Sequence, residues 1–142
     1  MSKSDAFEND LIDLIFNAIA IANLADNASV SPLIVLQISL HTGDPGEAGT
    51  QATSETTYGT YARMPVGRTT TGFLVTGNQA FLRANLAFST PTSGSGTISH
   101  FGVGTATSGA GILYYSGTVT PNITISTGIT PTLTTGSNVS ED

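Results

Sequence analysis

Residues 33–41 read LIVLQISLH, and their alternation decides the fold. Ile34, Leu36, Ile38 and Leu40 point one way, while Leu33, Val35, Gln37, Ser39 and His41 point the other. A two-residue period of this kind is that of a β-strand with one face on a core. Outward from it run further strand-like stretches, TYARMPVGR, TGFLVTG, QAFLRANLAFS, GTISHFGVGTA, AGILYYSGTVT, NITIS and ITPTLTT, set apart by Gly, Pro, Ser and Asn. Phe81, Leu86 and Phe88 lie between polar neighbours, and Phe101, Val103, Ile112 and Tyr114 alternate with small or hydroxyl residues. With no helical pattern between the strands, the sequence predicts a mainly β protein. Its form is an antiparallel, jelly-roll-like β-sandwich of about seven or eight strands. Pro65 cannot donate a ladder hydrogen bond, which places its strand at an edge or a bulge, and Pro121 and Pro131 mark strand starts or breaks.

Before residue 33 the period is helical. Ser4 or Asp5 can cap a helix whose first turns carry Asp5, Glu8 and Asp10 near its positive end. Phe7, Leu11, Leu14, Ile15, Ala18, Ile19 and Ala22 recur at three- and four-residue steps on one face, and Asp10, Asp13 and Asn17 share another. The helix is expected to end near Asp26-Asn27. An acidic flank and the interruptions at Asp13, Asn17 and Asn23 fit neither a secretory signal nor a membrane span. The chain thus reads as one domain, 1–142: an arm and helix over 1–30, a sandwich over 31–135, and a flexible tail, GSNVSED, over 136–142.

Composition narrows the function. There is no cysteine among the 142 residues, so disulfides and Cys-ligated zinc are excluded. The net charge is −6 and the cations are Lys3, Arg63, Arg68 and Arg83. A nucleic-acid backbone commonly takes about 6–10 phosphate contacts, more cations than this chain owns, so no nucleic-acid partner is expected. Charged residues make up 10% of the chain, against about 25% in ordinary soluble domains. About a quarter of the residues are Ser or Thr. Such a neutral, hydroxyl-rich exterior is cheap to bury against a partner.

The stretch His41 to Arg63, HTGDPGEAGTQATSETTYGTYAR, holds the candidate site. Asp44-Pro45-Gly46 is a turn: the Asp side chain accepts a local N–H, Pro presets φ, and Gly tolerates positive φ. The residues after it have no regular period, and a loop of roughly fifteen residues in a compact domain tends to be functional or disordered. A metal reading would gather His41, Asp44, Glu47 and His100, but their spacing matches no established ligand pattern, so neither a metal nor a cofactor is expected. There is no Gly-x-Ser-x-Gly elbow, and GVGTATSGAG lacks phosphate-loop spacing and reads as a hairpin connection. No catalytic residue is expected. Asn27-Ala28-Ser29, Asn122-Ile123-Thr124 and Asn138-Val139-Ser140 match glycosylation acceptors without a secretory signal. Tyr114 and Tyr115 face opposite sides of a strand, one available to the core and the other to a partner.

As a pattern, LQISLHTGDPGEAGTQATSETTYGTYARMPVGR, followed by HFGVGTATSGAGILYYSG and GITPTL, resembles a family of small tailed-bacteriophage virion proteins. Among them are jelly-roll cement proteins that decorate the capsid. The resemblance runs from Leu33 to Leu133. It is most specific at His41-Thr42, Asp44-Pro45-Gly46, Gly49-Thr50-Gln51 and Tyr61-Ala62-Arg63, and it departs from the family pattern at Gly59-Thr60, where the two residues usually come in the opposite order.

The resemblance implies a virion protein on the outer capsid surface, made in the host bacterial cytoplasm. It would be a cement protein that bridges neighbouring major capsid proteins and forms a homo-dimer or other homo-oligomer on the shell. The alternative is a tail or fibre component with receptor or carbohydrate binding as its role, of which the sugar is disfavoured by the absence of Trp. A metal-dependent hydrolase centred on His41 and His100 is the third reading. The residues expected at a partner interface are Gly43, Asp44, Pro45, Gly46, Glu47, Gln51, Tyr58, Tyr61, Arg63, Pro65 and Tyr115.

Overall fold

A computed structural model describes residues 3–21, 24–25 and 32–141. Among the described residues one helix, α1 (Asp5–Asn17), is followed by nine strands: β1 (Val35–His41), β2 (Met64–Gly67), β3 (Phe73–Thr76), β4 (Gln79–Leu82), β5 (Leu86–Ala87), β6 (Gly96–Gly104), β7 (Leu113–Ile125), β8 (Thr132–Leu133) and β9 (Asn138–Ser140). They form three antiparallel sheets, ordered β2-β1-β6-β7, β3-β4-β9 and β5-β8. The protein is mainly β, with the four-stranded sheet packed on the shorter ones as a β-sandwich. Among the described residues no helix is long and apolar enough to cross a membrane.

The core follows from the alternation in β1. Leu36, Ile38 and Leu40 are buried together with Phe101 and Val103 of the neighbouring β6. Phe73, Ala80, Leu82 and Val139, from β3, β4 and β9, belong to the same cluster. Strand count exceeds the expected seven or eight because QAFLRANLAFS divides into β4 and β5 and because a strand forms close to the C-terminus. Conversely, the runs written as ILYYSGTVT and NITIS join as one strand, β7. The join is a bulge: Ile98 pairs with Ile123 and His100 with Thr118, so four residues of β7 face one of β6. Pro121 lies in that bulge, on a strand at the sheet's edge, the two places where a strand tolerates a residue without an N–H. Pro65 is likewise on an edge strand, β2.

The helix departs from its expected form. Ser4 caps it, accepting from Phe7 N at 3.4 Å, but it ends at Asn17 rather than near Asp26-Asn27. Ala18 takes a left-handed φ of 56°, and Ile19 N returns to Asp13 O at 3.2 Å, a closing pattern usually built on glycine. The remaining end carbonyls find a distant donor. Arg68 donates through Nε to Ile15 O at 2.6 Å and through Nη2 to Leu14 O at 2.6 Å, while Nη1 reaches Leu33 O at 2.5 Å. A cation at a helix C-terminus both satisfies orphan carbonyls and opposes the helix dipole. The buried face is Glu8, Ile12 and Phe16, one step round from the expected Leu11, Leu14 and Ile15. Phe16 meets Phe73 edge-on at 4.8 Å and Tyr115 at 5.7 Å, so the helix packs on its own sandwich. Ala22, Asn23, the expected end at Asp26-Asn27 and the Asn27-Ala28-Ser29 pattern lie outside the described residues.

Residues 136–141 differ from the flexible tail expected over 136–142. Val139 is buried on the core, β9 pairs with β4 in register Ala80↔Val139, and Glu141 N donates to Asn78 O at 2.9 Å. A lone valine between polar neighbours carries no periodic signal, yet β4 offers an unpaired edge and the core a vacancy for one aliphatic side chain.

Candidate partner surface

The second face of β1 decides what the opening stretch does. Gln37, Ser39 and His41 point away from the aliphatic core but are also buried, at 3%, 0% and 0% exposure. The segment after His41 folds back over them. Thr42 N donates to Ser54 O at 2.8 Å and Thr56 N to Leu40 O at 3.0 Å, so this return extends the sheet beside the end of β1. Polar groups under such a cover must find partners inside the chain, and they do.

His41 Nδ1 lies 2.8 Å from Thr53 O and Nε2 lies 2.8 Å from Ser39 Oγ. Since a carbonyl only accepts, the proton sits on Nδ1 and the serine hydroxyl donates to Nε2. Burial pushes the His41 pKa down, opposed by the Thr53 carbonyl and the Glu55 carboxylate. His100 pairs directly across from His41 and bonds Ser99 Oγ through Nδ1 at 2.9 Å. The two histidines are thus neighbours, with both His41 nitrogens already used by the protein.

Gln51 is the plug of the cover, fully buried. Its Nε2 donates to Gln37 O at 3.4 Å, its Oε1 accepts from Ala106 N at 2.8 Å, and its backbone N donates to Ala110 O at 2.8 Å. Glycines make the fit possible. A Cβ on Gly102 would sit 2.7 Å from both His41 Nε2 and Ser39 Oγ, and one on Gly104 would collide with the Gln51 side chain. The alternating glycines of HFGVG therefore mark the face approached by the loop, a signal in the sequence not connected there with Gln37, Ser39 and His41.

Arg63 ties the loop exit to the β6–β7 connection. Its Nε and Nη2 each lie 2.7 Å from a Glu55 oxygen, while Nη1 donates to Ala106 O at 2.8 Å and Nη2 to Gly109 O at 2.6 Å. Tyr61 donates to Glu55 Oε1 at 2.9 Å and accepts from Leu40 N at 3.0 Å. Burial, chiefly, pushes the Tyr61 phenol well up, and the Glu55 hydrogen bond raises the Arg63 guanidinium. Tyr58 bonds Ser89 O at 3.0 Å, and Tyr61 stacks parallel to Phe88. In the turn closed by Tyr61 N to Tyr58 O, Thr60 takes a φ of 77°. The departure at Gly59-Thr60 thus puts a threonine at the left-handed position, while Gly59 lies where a Cβ would meet Ser93 Oγ.

The residues expected at an interface therefore divide. Gln51, Tyr58 and Arg63 are buried in intramolecular contacts, Pro45 is buried, and Tyr61 is half-buried. Gly43 is half-buried beside Ser54. Asp44, Gly46, Glu47 and Pro65 are exposed, and Asp44 Oδ1 accepts from Gly46 N at 2.9 Å, with Gly46 at φ 68°. Of the tyrosine pair, Tyr115 turns inward and donates to Glu141 Oε2 at 3.0 Å, whereas Tyr114 stands out at 47% exposure. A cleft of about 360 Å³ runs between Asp44, Glu47 and Tyr114. Glu55, Ser39, Gly102 and Gly104 were not singled out from the sequence, although Glu55 holds both Tyr61 and Arg63.

A family model described as Podophage GP4 fiber I protein gp80 matches residues 2–140, and the chain belongs to that family, one of phage virion structural proteins. Comparison with curated proteins gave no match.

Proposed function

We propose that this chain is a non-enzymatic component of a tailed-phage fibre, held to other virion proteins by surface contacts. The observation that carries this reading is the fibre-protein family match over 2–140. The structure supports it through the use made of the loop. His41, Gln51, Tyr61 and Arg63 brace the sandwich rather than converge on a substrate-sized cavity. A part that transmits force along a fibre gains from such cross-ties, since each removes a local opening mode.

The capsid cement role, bridging major capsid proteins, draws on the same neutral surface, but the family match favours the fibre. Copy number and position separate the two. Quantitative mass spectrometry of purified virions, with imaging of virions carrying a tag on this chain, should give few copies, placed at the tail. Hundreds of copies spread over the shell would overturn the fibre reading and restore cement.

A further inference from the structure

We propose that the free edge of β7 is a docking strand for a second copy of this chain, pairing antiparallel β7 to β7 about a two-fold axis. β7 is the longest strand, 13 residues, and it ends the four-stranded sheet. Among the described residues it pairs with β6 alone, so its outer row of N–H and C=O groups has no strand partner. Natural proteins blunt such edges with charge, proline, bulges or short length. Here β7 carries two irregularities, a register shift at Tyr114 opposite Val103 and Gly104 and the Pro121 bulge, and between them residues 115–118 run in unbroken register and without a charge.

A second observation lies beside the edge. The two sheets part along β7, leaving a groove of about 800 Å³ between β7 and the segment carrying β8 and β9. None of the eighteen residues lining it is Asp, Glu, Lys or Arg, in a chain where 10% of residues are charged. Tyr115, Val119, Ile123 and Leu133 give it an apolar floor, and Ser116, Thr118 and Asn138 a hydroxyl and amide rim.

Charge selects the occupant. Each copy carries −6, so two copies repel except where their facing surfaces are neutral; β7 itself brings no charge to the seam, and the carboxylates beside it, Asp44 and Glu47, flank only its first residues across the Tyr114 cleft. The strand is also self-complementary. Two-fold antiparallel pairing sets residues of the same parity opposite each other. The outward row of Tyr114, Ser116 and Thr118 then meets itself, and so does the inward row of Tyr115, Gly117 and Val119. The result is a continuous eight-stranded sheet with both cores on one side. Tyr114 sits close to the join, which accounts for an exposed aromatic on an otherwise hydroxyl-bearing row. The inference does not depend on whether the protein belongs to fibre or shell.

Sedimentation of the purified full-length chain over a concentration series tests it. The expected mass is two chains at high concentration, falling to one for Thr118→Lys, while Pro65→Lys on the opposite edge strand stays at two. Thermal melts establish that each variant is folded. Should Thr118→Lys fail to fold, Thr118→Cys in this cysteine-free chain, carrying a nitroxide, should show spin–spin broadening that disappears on dilution with unlabelled protein. A chain that stays monomeric at high concentration would overturn the proposal. So would a dimer lost with Pro65→Lys but not with Thr118→Lys, or an unbroadened nitroxide in a dimeric sample.

Discussion

Arg63 grips Glu55 with two parallel hydrogen bonds of 2.7 Å, and its side chain is 2% exposed. Eight residues separate the pair, and around it the polar stretch becomes a wall. Glu55 is also held by Tyr61, and Arg63 by two carbonyls from the β6–β7 connection. A lysine keeps the charge but cannot reproduce the fork. Arg63→Lys should lower unfolding stability by about 3 kcal/mol, read by urea denaturation, and Glu55→Gln by a similar amount. A loss below about 0.5 kcal/mol in both would mean that the cross-tie does not hold the loop.

Raising pH should weaken the fold through its buried phenols. The folded-state pKa values of Tyr61 and Tyr115 lie above the ordinary 10.0, raised chiefly by burial. Their contribution is full below pH 10 and is lost as pH rises toward the folded values. Melting temperature should therefore hold up to pH 9.5 and fall above about 10. The double variant Tyr61→Phe/Tyr115→Phe, less stable at neutral pH, should show a shallower alkaline decline.

Acid acts through His41. Its folded pKa lies below the ordinary 6.5 because the ring is buried, so the unfolded chain binds the extra proton first. The stabilisation is complete above pH 6.5 and is lost as pH falls through the folded value. His41→Gln should be less stable than the natural protein at pH 8, yet lose less between pH 6.5 and 5. Parallel slopes for the two proteins would assign the acid response to other groups.

Gly102→Ala places a methyl 2.7 Å from both His41 Nε2 and Ser39 Oγ. Neither neighbour is free to move, since each bonds the other. The expected cost is about 2–3 kcal/mol, measured by thermal and chemical unfolding. Gly77→Ala, at φ 59° but with open space around it, should cost only about 1 kcal/mol.

Removing residues 136–142 should be far more damaging than trimming a free tail. It uncovers the edge of β4, takes Val139 from the core and strips Tyr115 of its Glu141 partner. A loss of at least about 3 kcal/mol is expected, seen as a lower melting temperature or as failure to accumulate soluble protein.

Much of this was legible along the chain. The alternation in LIVLQISLH located β1, proline chemistry placed Pro65 at an edge, and Ser4 was a readable cap. Helix face and length were not. Several apolar positions of α1 fit more than one stripe, and the chosen one depends on where Phe73 and Tyr115 stand. The helix ends where Arg68, more than fifty residues on, collects its last carbonyls.

By itself the sequence determined the local periods, the turns and the neutral, hydroxyl-rich exterior, because each of these is encoded in residues a few positions apart. Tertiary structure alone decided that the second face of β1 is covered, that Gln51 rather than Asp44 faces inward, and that the C-terminal segment is a strand. Those outcomes rest on pairs such as Gln51 with Ala106 and Ala80 with Val139. A buried polar group is stable only when its partner is present, and no local pattern announces a partner fifty-five residues away.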